Sequence, residues 1–110
     1  MKVSLRIVER FSILNSAPPK GTFKDMRTWK SIHMKTGFTE PEIQQFGIKE
    51  TDRADGMGKD FSWSPEADRA VEIDYNIEEM GAIAARLKEL DKLGEIKDEH
   101  FYIWEKFVQE

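Results

Sequence analysis

The spacing of apolar residues changes its period twice along the chain, and this change constrains the fold more than any other feature. Before about residue 47 and after residue 76, apolar side chains recur every three or four positions, which is typical of amphipathic helices. Between these limits they alternate with polar side chains, which is typical of strands; the alternating residues are Phe61, Trp63, Val71, Ile73 and Tyr75. The sequence therefore predicts an α+β fold with N-terminal helices, a small antiparallel β-meander and a C-terminal αα-hairpin.

Residues that start or stop helices divide the chain into short elements. A hydroxyl or amide cap with an acidic residue three positions later predicts a helix start, whereas glycine and proline predict an end. These signals are Pro18, Pro19 and Gly21, Thr22 with Asp25, Gly37, Thr39 with Glu42, Gly47, the Asp55-Gly56 turn, Asn76 with Glu79, Gly94 and Asp98. Asp98 is the predicted cap of the last helix, and the short connection before it predicts the helical hairpin.

The spacing of apolar residues in the first segment fits both a helix and a strand. We favour a helix from Ser4 to Asn15, because its apolar residues follow helical spacing. The alternation of Val3, Leu5 and Ile7 leaves a strand open as the alternative. In the next helix the predicted apolar stripe consists of Phe23, Met26, Trp29 and His33.

Length and composition indicate one folded domain. The chain has 110 residues, of which 39% are hydrophobic and 35% are charged, so it can build one core and is too apolar to be disordered. We predict a single domain over residues 1–110. The absence of cysteine excludes a disulfide framework and a thiolate zinc site. Neither a signal peptide nor a membrane span is apparent, so we expect a cytoplasmic protein without a membrane partner.

No catalytic or ligand motif fits the sequence. The tract from Asp52 to Asp60 mixes carboxylates and glycines, but it matches neither a calcium loop nor a phosphate loop, and we predict a mobile hairpin turn there. His33 and His100 lack the spacing of a metal site, and His100 is predicted to be a partly buried structural residue. We therefore expect no enzyme activity, no metal or organic cofactor and no small-molecule substrate.

The distribution of charge raises the alternative of nucleic-acid binding. Residues 1–49 carry nine basic and four acidic groups, whereas the other 61 residues carry eight basic and seventeen acidic groups. The order of three helices and a hairpin is also similar to that of a winged helix, although acidic residues open the third helix. The residues of this alternative are Lys24, Arg27, Lys30, Lys35, Gln44, Gln45, Arg53 and Lys59.

The last helix is the candidate for a protein contact. Its apolar arc is wide for a terminal helix, and one neighbouring helix would leave part of it uncovered. Most of this arc is expected to lie in the core, with the surplus available to a partner or to a second copy of the chain. The predicted partner-binding residues are Phe101, Trp104, Phe107 and Val108.

The order of several short motifs resembles that of a group of small uncharacterised phage and prophage proteins. The motifs are Glu9-Arg10 with Leu14, Pro18 with Gly21, Gly37-Phe38-Thr39-Glu40 with Glu42-Ile43, Ser62-Trp63-Ser64, Leu87 with Leu90-Asp91 and Gly94, and Glu99-His100 with Trp104-Glu105-Lys106-Phe107. The resemblance covers nearly the whole chain and implies an accessory protein of the infected host's cytoplasm, with no activity assigned to any residue.

Two functions follow as hypotheses. The first is a non-catalytic phage-type accessory protein that acts by protein–protein interaction, either by self-association or by binding a host or phage protein. The alternative is a DNA-binding accessory or regulatory protein with a winged-helix-like basic N-terminal half. Salt separates them, because binding through phosphates weakens steeply as salt rises and an apolar protein contact does not.

Overall fold

The described residues form five helices and four strands in the computed structural model, which describes residues 1–56 and 58–108. In chain order they are β1 (Lys2–Leu5), α1 (Ile7–Asn15), α2 (Phe23–Thr36), α3 (Glu40–Phe46), β2 (Lys49–Asp52), β3 (Lys59–Ser62), β4 (Val71–Asp74), α4 (Ile77–Lys92) and α5 (Asp98–Phe107). The α+β class and the C-terminal helix pair are those that the sequence predicts.

The chain divides into two compact units, which we describe separately. Unit 1 comprises Met1–Gly37 and Ala70–Glu110 and holds β1, α1, α2, β4, α4 and α5. Unit 2 comprises Phe38–Arg69 and holds α3 and the β2–β3 hairpin. The single domain over residues 1–110 stays a prediction.

The strands pair antiparallel, but they form two separate sheets instead of one continuous meander. In unit 1, β1 pairs with β4, so that Val3 lies opposite Ile73 and Leu5 opposite Val71. In unit 2, β2 pairs with β3. The difference has a physical reason: β1 turns alternate apolar side chains into the core, as β4 does with Ile73, whereas every residue of β2 and β3 is exposed.

The N-terminal segment combines the two alternatives, so the prediction of a helix from Ser4 is wrong for its first residues. Residues 2–5 form a strand, and α1 begins at Ile7. The N-terminal ammonium donates to the Tyr75 carbonyl at 2.7 Å and to the Asp74 carboxylate at 3.0 Å, which holds β1 beside β4. The Glu9 carboxylate accepts the Arg6 N–H at 2.9 Å and starts the helix.

Most predicted helix caps are confirmed. The side chains of Thr22, Thr39 and Asn76 each accept the N–H three residues later. Gly47 and Gly94 adopt the left-handed φ values of 67° and 71° expected beyond a helix end. The start of α5 differs, because its N-cap is Lys97 and not Asp98. The His100 ring accepts the Lys97 N–H at 2.8 Å, which satisfies a donor of the first turn.

The core of unit 1 draws on both sheet strands and on four helices. Its buried apolar residues are Val3, Leu5, Ile13, Trp29, Ile32, Ile73, Tyr75, Ile83, Leu87, Ile103, Phe107 and Val108. The four helices contact one another in the cyclic order α1, α2, α4 and α5. The rings of Tyr75 and Phe107 pack edge to face, with their centroids 5.8 Å apart. In unit 2, Phe46 is the buried apolar residue among those described.

Two ionic groups hold α2 in place inside unit 1. The first is the buried guanidinium of Arg10, which donates to the Thr36 carbonyl at 3.0 Å and to the Gly37 carbonyl at 2.7 Å. It satisfies carbonyl groups at the C-terminus of α2, where a positive charge also complements the helix dipole. The Thr36 hydroxyl in turn shares a hydrogen bond of 2.5 Å with the Tyr75 hydroxyl.

The second is the carboxylate of Glu79, buried at the start of α4. It accepts hydrogen bonds from the Ser31 hydroxyl at 2.6 Å, from the Lys35 ammonium at 2.6 Å and from the Asn76 N–H at 2.8 Å. Burial by itself would raise the pKa of Glu79. The hydrogen bonds from Lys35, Ser31 and the Asn76 N–H outweigh burial and hold this pKa below its ordinary value.

We expect Glu79→Ala to lower the free energy of unfolding by about 2–3 kcal/mol, because it removes the buried acceptor that the Ser31 hydroxyl, the Lys35 ammonium and the Asn76 N–H share. The exposed neighbour provides the control: Glu78→Ala should change the same free energy by less than about 0.5 kcal/mol. Urea denaturation followed by circular dichroism measures both values. Equal losses in the two variants would contradict the anchoring role of Glu79.

Candidate interaction surface

The predicted partner-binding residues of α5 divide between the core and the surface. Phe107 and Val108 are each 5% exposed and lie in the core of unit 1. Trp104 is partly buried and packs against that core. Phe101 is 69% exposed, and its neighbour Tyr102 is 57% exposed. A partner can therefore reach Phe101 and Tyr102, whereas Phe107 and Val108 serve folding.

The accessible side of α5 is acidic as well as aromatic. Asp98, Phe101, Tyr102 and Glu105 follow one another at steps of three, one and three residues, which places them on one side of the helix. All four are exposed, and the opposite side carries the buried Ile103 and Phe107. We call Asp98, Phe101, Tyr102 and Glu105 the α5 face.

The basic residues of the nucleic-acid alternative fall in both units. Lys24, Arg27, Lys30 and Lys35 lie on α2 in unit 1. The first three are exposed, and no ion pair within residues 1–56 and 58–108 involves them. Lys35 differs, because its ammonium is paired with the buried Glu79 carboxylate at 2.6 Å. Lys35 is therefore part of the fold.

The other four residues of that alternative lie in unit 2. Gln44 and Gln45 are exposed on α3, a helix that carries acidic and no basic side chains. Arg53 is close to the Asp55 carboxylate, at 3.5 Å. The Lys59 ammonium lies between two carboxylates of the hairpin, at 3.3 Å from Glu50 and 3.6 Å from Asp52. Both hairpin cations are thus beside acidic groups that would meet phosphates with like charge.

The outward side of α2 combines exposed apolar groups with cations. Phe23, Arg27, Lys30 and Met34 recur at steps of four, three and four residues and form one stripe along the helix. Phe23 is 81% exposed and Met34 is 82% exposed, and the Arg27 guanidinium lies 6.0 Å from the centre of the Phe23 ring. We call Phe23, Arg27, Lys30 and Met34 the α2 face.

Sequence reasoning missed this face because it grouped Phe23 with Met26, Trp29 and His33 in one apolar stripe. Of the predicted stripe on α2, only Trp29 is buried among the described residues, and the buried residues that accompany it are Ile32 and Thr36. Met34 is the residue from which the sequence could have predicted this face. It lies eleven residues after Phe23 and shares its side with Arg27 and Lys30, so the basic side of α2 was also apolar.

A groove of about 410 Å³ lies between α2 and α4 in unit 1. Trp29 and Thr28 contribute from α2, and Ala82 and Ala85 contribute from α4. The charged side chains that line it are the basic Lys20, Lys24 and Arg86 and the acidic Asp25, Glu78 and Glu89. Because the two signs balance, the groove favours no ionic class of ligand.

His100 and Glu99 do not form a catalytic pair. The His100 ring is buried, and its Nδ1 atom is engaged as the acceptor of the Lys97 N–H. The Nε2 atom lies 3.9 Å from the Glu99 carboxylate, which is too long for a hydrogen bond. Burial lowers the pKa of His100 below its ordinary value and favours the neutral ring that the cap requires.

The part of the chain that the structure describes contains no group of three or more residues placed to bind a metal ion. Among the same residues, no helix combines the length and the apolar character that crossing a membrane requires. Comparisons with models of protein families, with curated proteins and with solved structures find no match for this chain. The absence of a cofactor and the resemblance to phage proteins therefore stay predictions.

We expect His100→Gln to retain the cap of α5 and to remove a pH dependence of stability. The unfolded chain protonates His100 near its ordinary pKa of about 6.5, whereas the folded protein takes up this proton only at lower pH. The free energy of unfolding therefore falls as pH is lowered through 6.5. Glutamine keeps a hydrogen-bond acceptor and has no such titration.

Urea denaturation of both proteins between about pH 5 and pH 7.5 measures this effect. The wild type should lose more stability than His100→Gln as the pH falls. Parallel curves for the two proteins would contradict the assignment of His100 as a neutral cap.

Proposed function

We propose that this protein is a non-catalytic binding protein that contacts a partner protein through the α2 face. The observation that carries the proposal is the exposure of Phe23 and Met34, each above 80%, on the same stripe as Arg27 and Lys30. Single exposed apolar residues are ordinary on protein surfaces, but two large ones aligned with two cations on one helix are typical of a contact surface.

The chemistry of the α2 face indicates the kind of partner. Phenylalanine, methionine and arginine are enriched in protein interfaces, because each offers a large contact area that is apolar or planar. Arg27 and Lys30 favour a surface with carboxylates close to apolar groups. The proposed partner is therefore a protein with an acidic and partly apolar surface.

The alternative of nucleic-acid binding has weaker support. Of the four lysine and arginine residues of α2, Lys35 is engaged with Glu79, which leaves Lys24, Arg27 and Lys30 for a phosphate backbone. Residues 49–62, which include the hairpin with Arg53 and Lys59, carry three basic and four acidic residues, and the chain has a net charge of −4. An acidic surface around a small basic stripe disfavours a phosphate backbone. The phage setting suggested by the resemblance is compatible with either function and is not needed for the proposal.

A photocrosslinking experiment tests the proposal. A benzoylphenylalanine placed at position 23 keeps an aromatic ring on the α2 face, and one placed at position 93 probes the exposed Leu93 on the surface after α4. In cells that express the protein, irradiation should yield protein adducts from position 23 and few from position 93. Adding Arg27→Glu should remove the adducts from position 23, because it reverses a charge at the centre of the face.

Nuclease treatment and salt separate the two functions. In a lysate treated with nuclease before irradiation, adducts that still form from position 23 support a protein partner. Equal labelling from positions 23 and 93 would contradict the proposal. Loss of every adduct on nuclease treatment, with binding of the purified protein to duplex DNA that weakens steeply with salt, would favour the nucleic-acid alternative.

A further inference from the structure

We propose that the partner bound by the α2 face is the α5 face of a second copy of this chain. The inference rests on the proposed function, because it takes the α2 face to be a protein-binding surface. It adds the identity of the partner, which the charge and shape of the two faces indicate.

The two faces are complementary in charge. Arg27 and Lys30 give the α2 face two positive charges, and Asp98 and Glu105 give the α5 face two negative charges. All four side chains are exposed. Opposite charges across a contact steer association and fix its register, and each face repels a copy of itself.

The two faces also match in the order of their residues. On the α2 face the two cations lie between Phe23 and Met34, over about 16 Å of helix. On the α5 face the rings of Phe101 and Tyr102 lie between the two carboxylates, over about 10 Å of helix. When α2 of one copy crosses α5 of the other, Arg27 and Lys30 contact the aromatic rings of the α5 face and come within reach of its two carboxylates. Phe23 and Met34, at the two ends of the α2 face, extend the contact.

The fold places the two faces on opposite sides of unit 1. Both α2 and α5 pack against α1 and α4, so they occupy opposite corners of the four-helix arrangement. Their outward faces therefore point away from each other. A symmetric dimer cannot join both pairs of faces at once, and each added copy leaves one free face of each kind. The contact is heterologous, and association can continue beyond the dimer.

The size of the faces sets the strength of the contact. Each is a single stripe of four side chains, which covers less than the roughly 800 Å² per partner that stable complexes bury. Association is therefore reversible and depends on protein concentration. It should strengthen at low salt, because the charges are exposed and screened by ions.

Paired variants test the inference by sedimentation velocity between about 20 µM and 1 mM protein. One variant removes the apolar groups of the α2 face (Phe23→Ser with Met34→Ser), and the other removes the rings of the α5 face (Phe101→Ser with Tyr102→Ser). The control removes two exposed apolar residues outside both faces (Ile77→Ser with Leu93→Ser). Circular dichroism confirms that each variant is folded.

One chain has a mass of 12.8 kDa. As the protein concentration rises, the average mass of the wild type and of the control should exceed the mass of a dimer. Each face variant alone should stay monomeric, with an apparent dissociation constant at least about tenfold higher. An equimolar mixture of the two face variants should form a one-to-one dimer and nothing larger, since each retains the face that the other lacks. This mixture distinguishes the heterologous contact from any symmetric one.

Three outcomes would overturn the inference. A monomeric wild type across the whole range, with crosslinks from position 23 to other proteins, would leave the proposed function standing and remove self-association. Association of the wild type without a dimer in the mixed variants would show that the two faces do not bind each other. A monomeric wild type without any crosslinks from position 23 would remove both proposals.

Discussion

The buried carboxylate of Glu79 fixes how α2 lies in unit 1, and the surface of the protein depends on it. A buried charge must have hydrogen-bond partners, and two of its donors, Ser31 and Lys35, come from α2. These two contacts, with the burial of Trp29 and Ile32, set the rotation of α2 about its axis. The opposite side of the helix is left in water. The α2 face lies opposite Trp29 and Ile32, and the contacts of Ser31 and Lys35 with Glu79 lie on the flank between these two sides of the helix.

The polar groups inside unit 1 serve the fold and leave binding to the surface. Arg10 closes the C-terminus of α2, and His100 caps α5 as a neutral ring. The Glu9 carboxylate caps α1 and also lies 2.5 Å from the Lys106 ammonium, which donates to the Ser4 carbonyl. Each of these buried ionisable groups is engaged in holding a helix end. The proposed contacts therefore use the exposed residues of the α2 and α5 faces.

The sequence predicted local structure well and long-range contacts poorly. The caps at Thr39 and Asn76 depend on residues three positions away, so their residue types were sufficient to identify them. The partner of β4 is β1, about seventy residues earlier, and no local pattern indicates this pairing. The predicted stripe grouped the exposed Phe23 with the buried Trp29 because α2 has apolar residues on two sides, and contacts with distant parts of unit 1 decide which side is buried. On α5 the aromatic residues were identified, but burial divides them between core and surface.

A concentration series of amide NMR spectra tests the central claim most directly, because it reports every backbone position of one folded protein. From about 50 µM to 1 mM, we expect progressive shifts or broadening at Phe23, Arg27, Lys30 and Met34, and at Asp98, Phe101, Tyr102 and Glu105, with the residues of unit 1's core unchanged. The spectral changes at the two faces should reach half of their full size at the same protein concentration, because the two faces form the two halves of one contact. Spectra that do not change with concentration, or that change at only one of the two faces, would contradict the account.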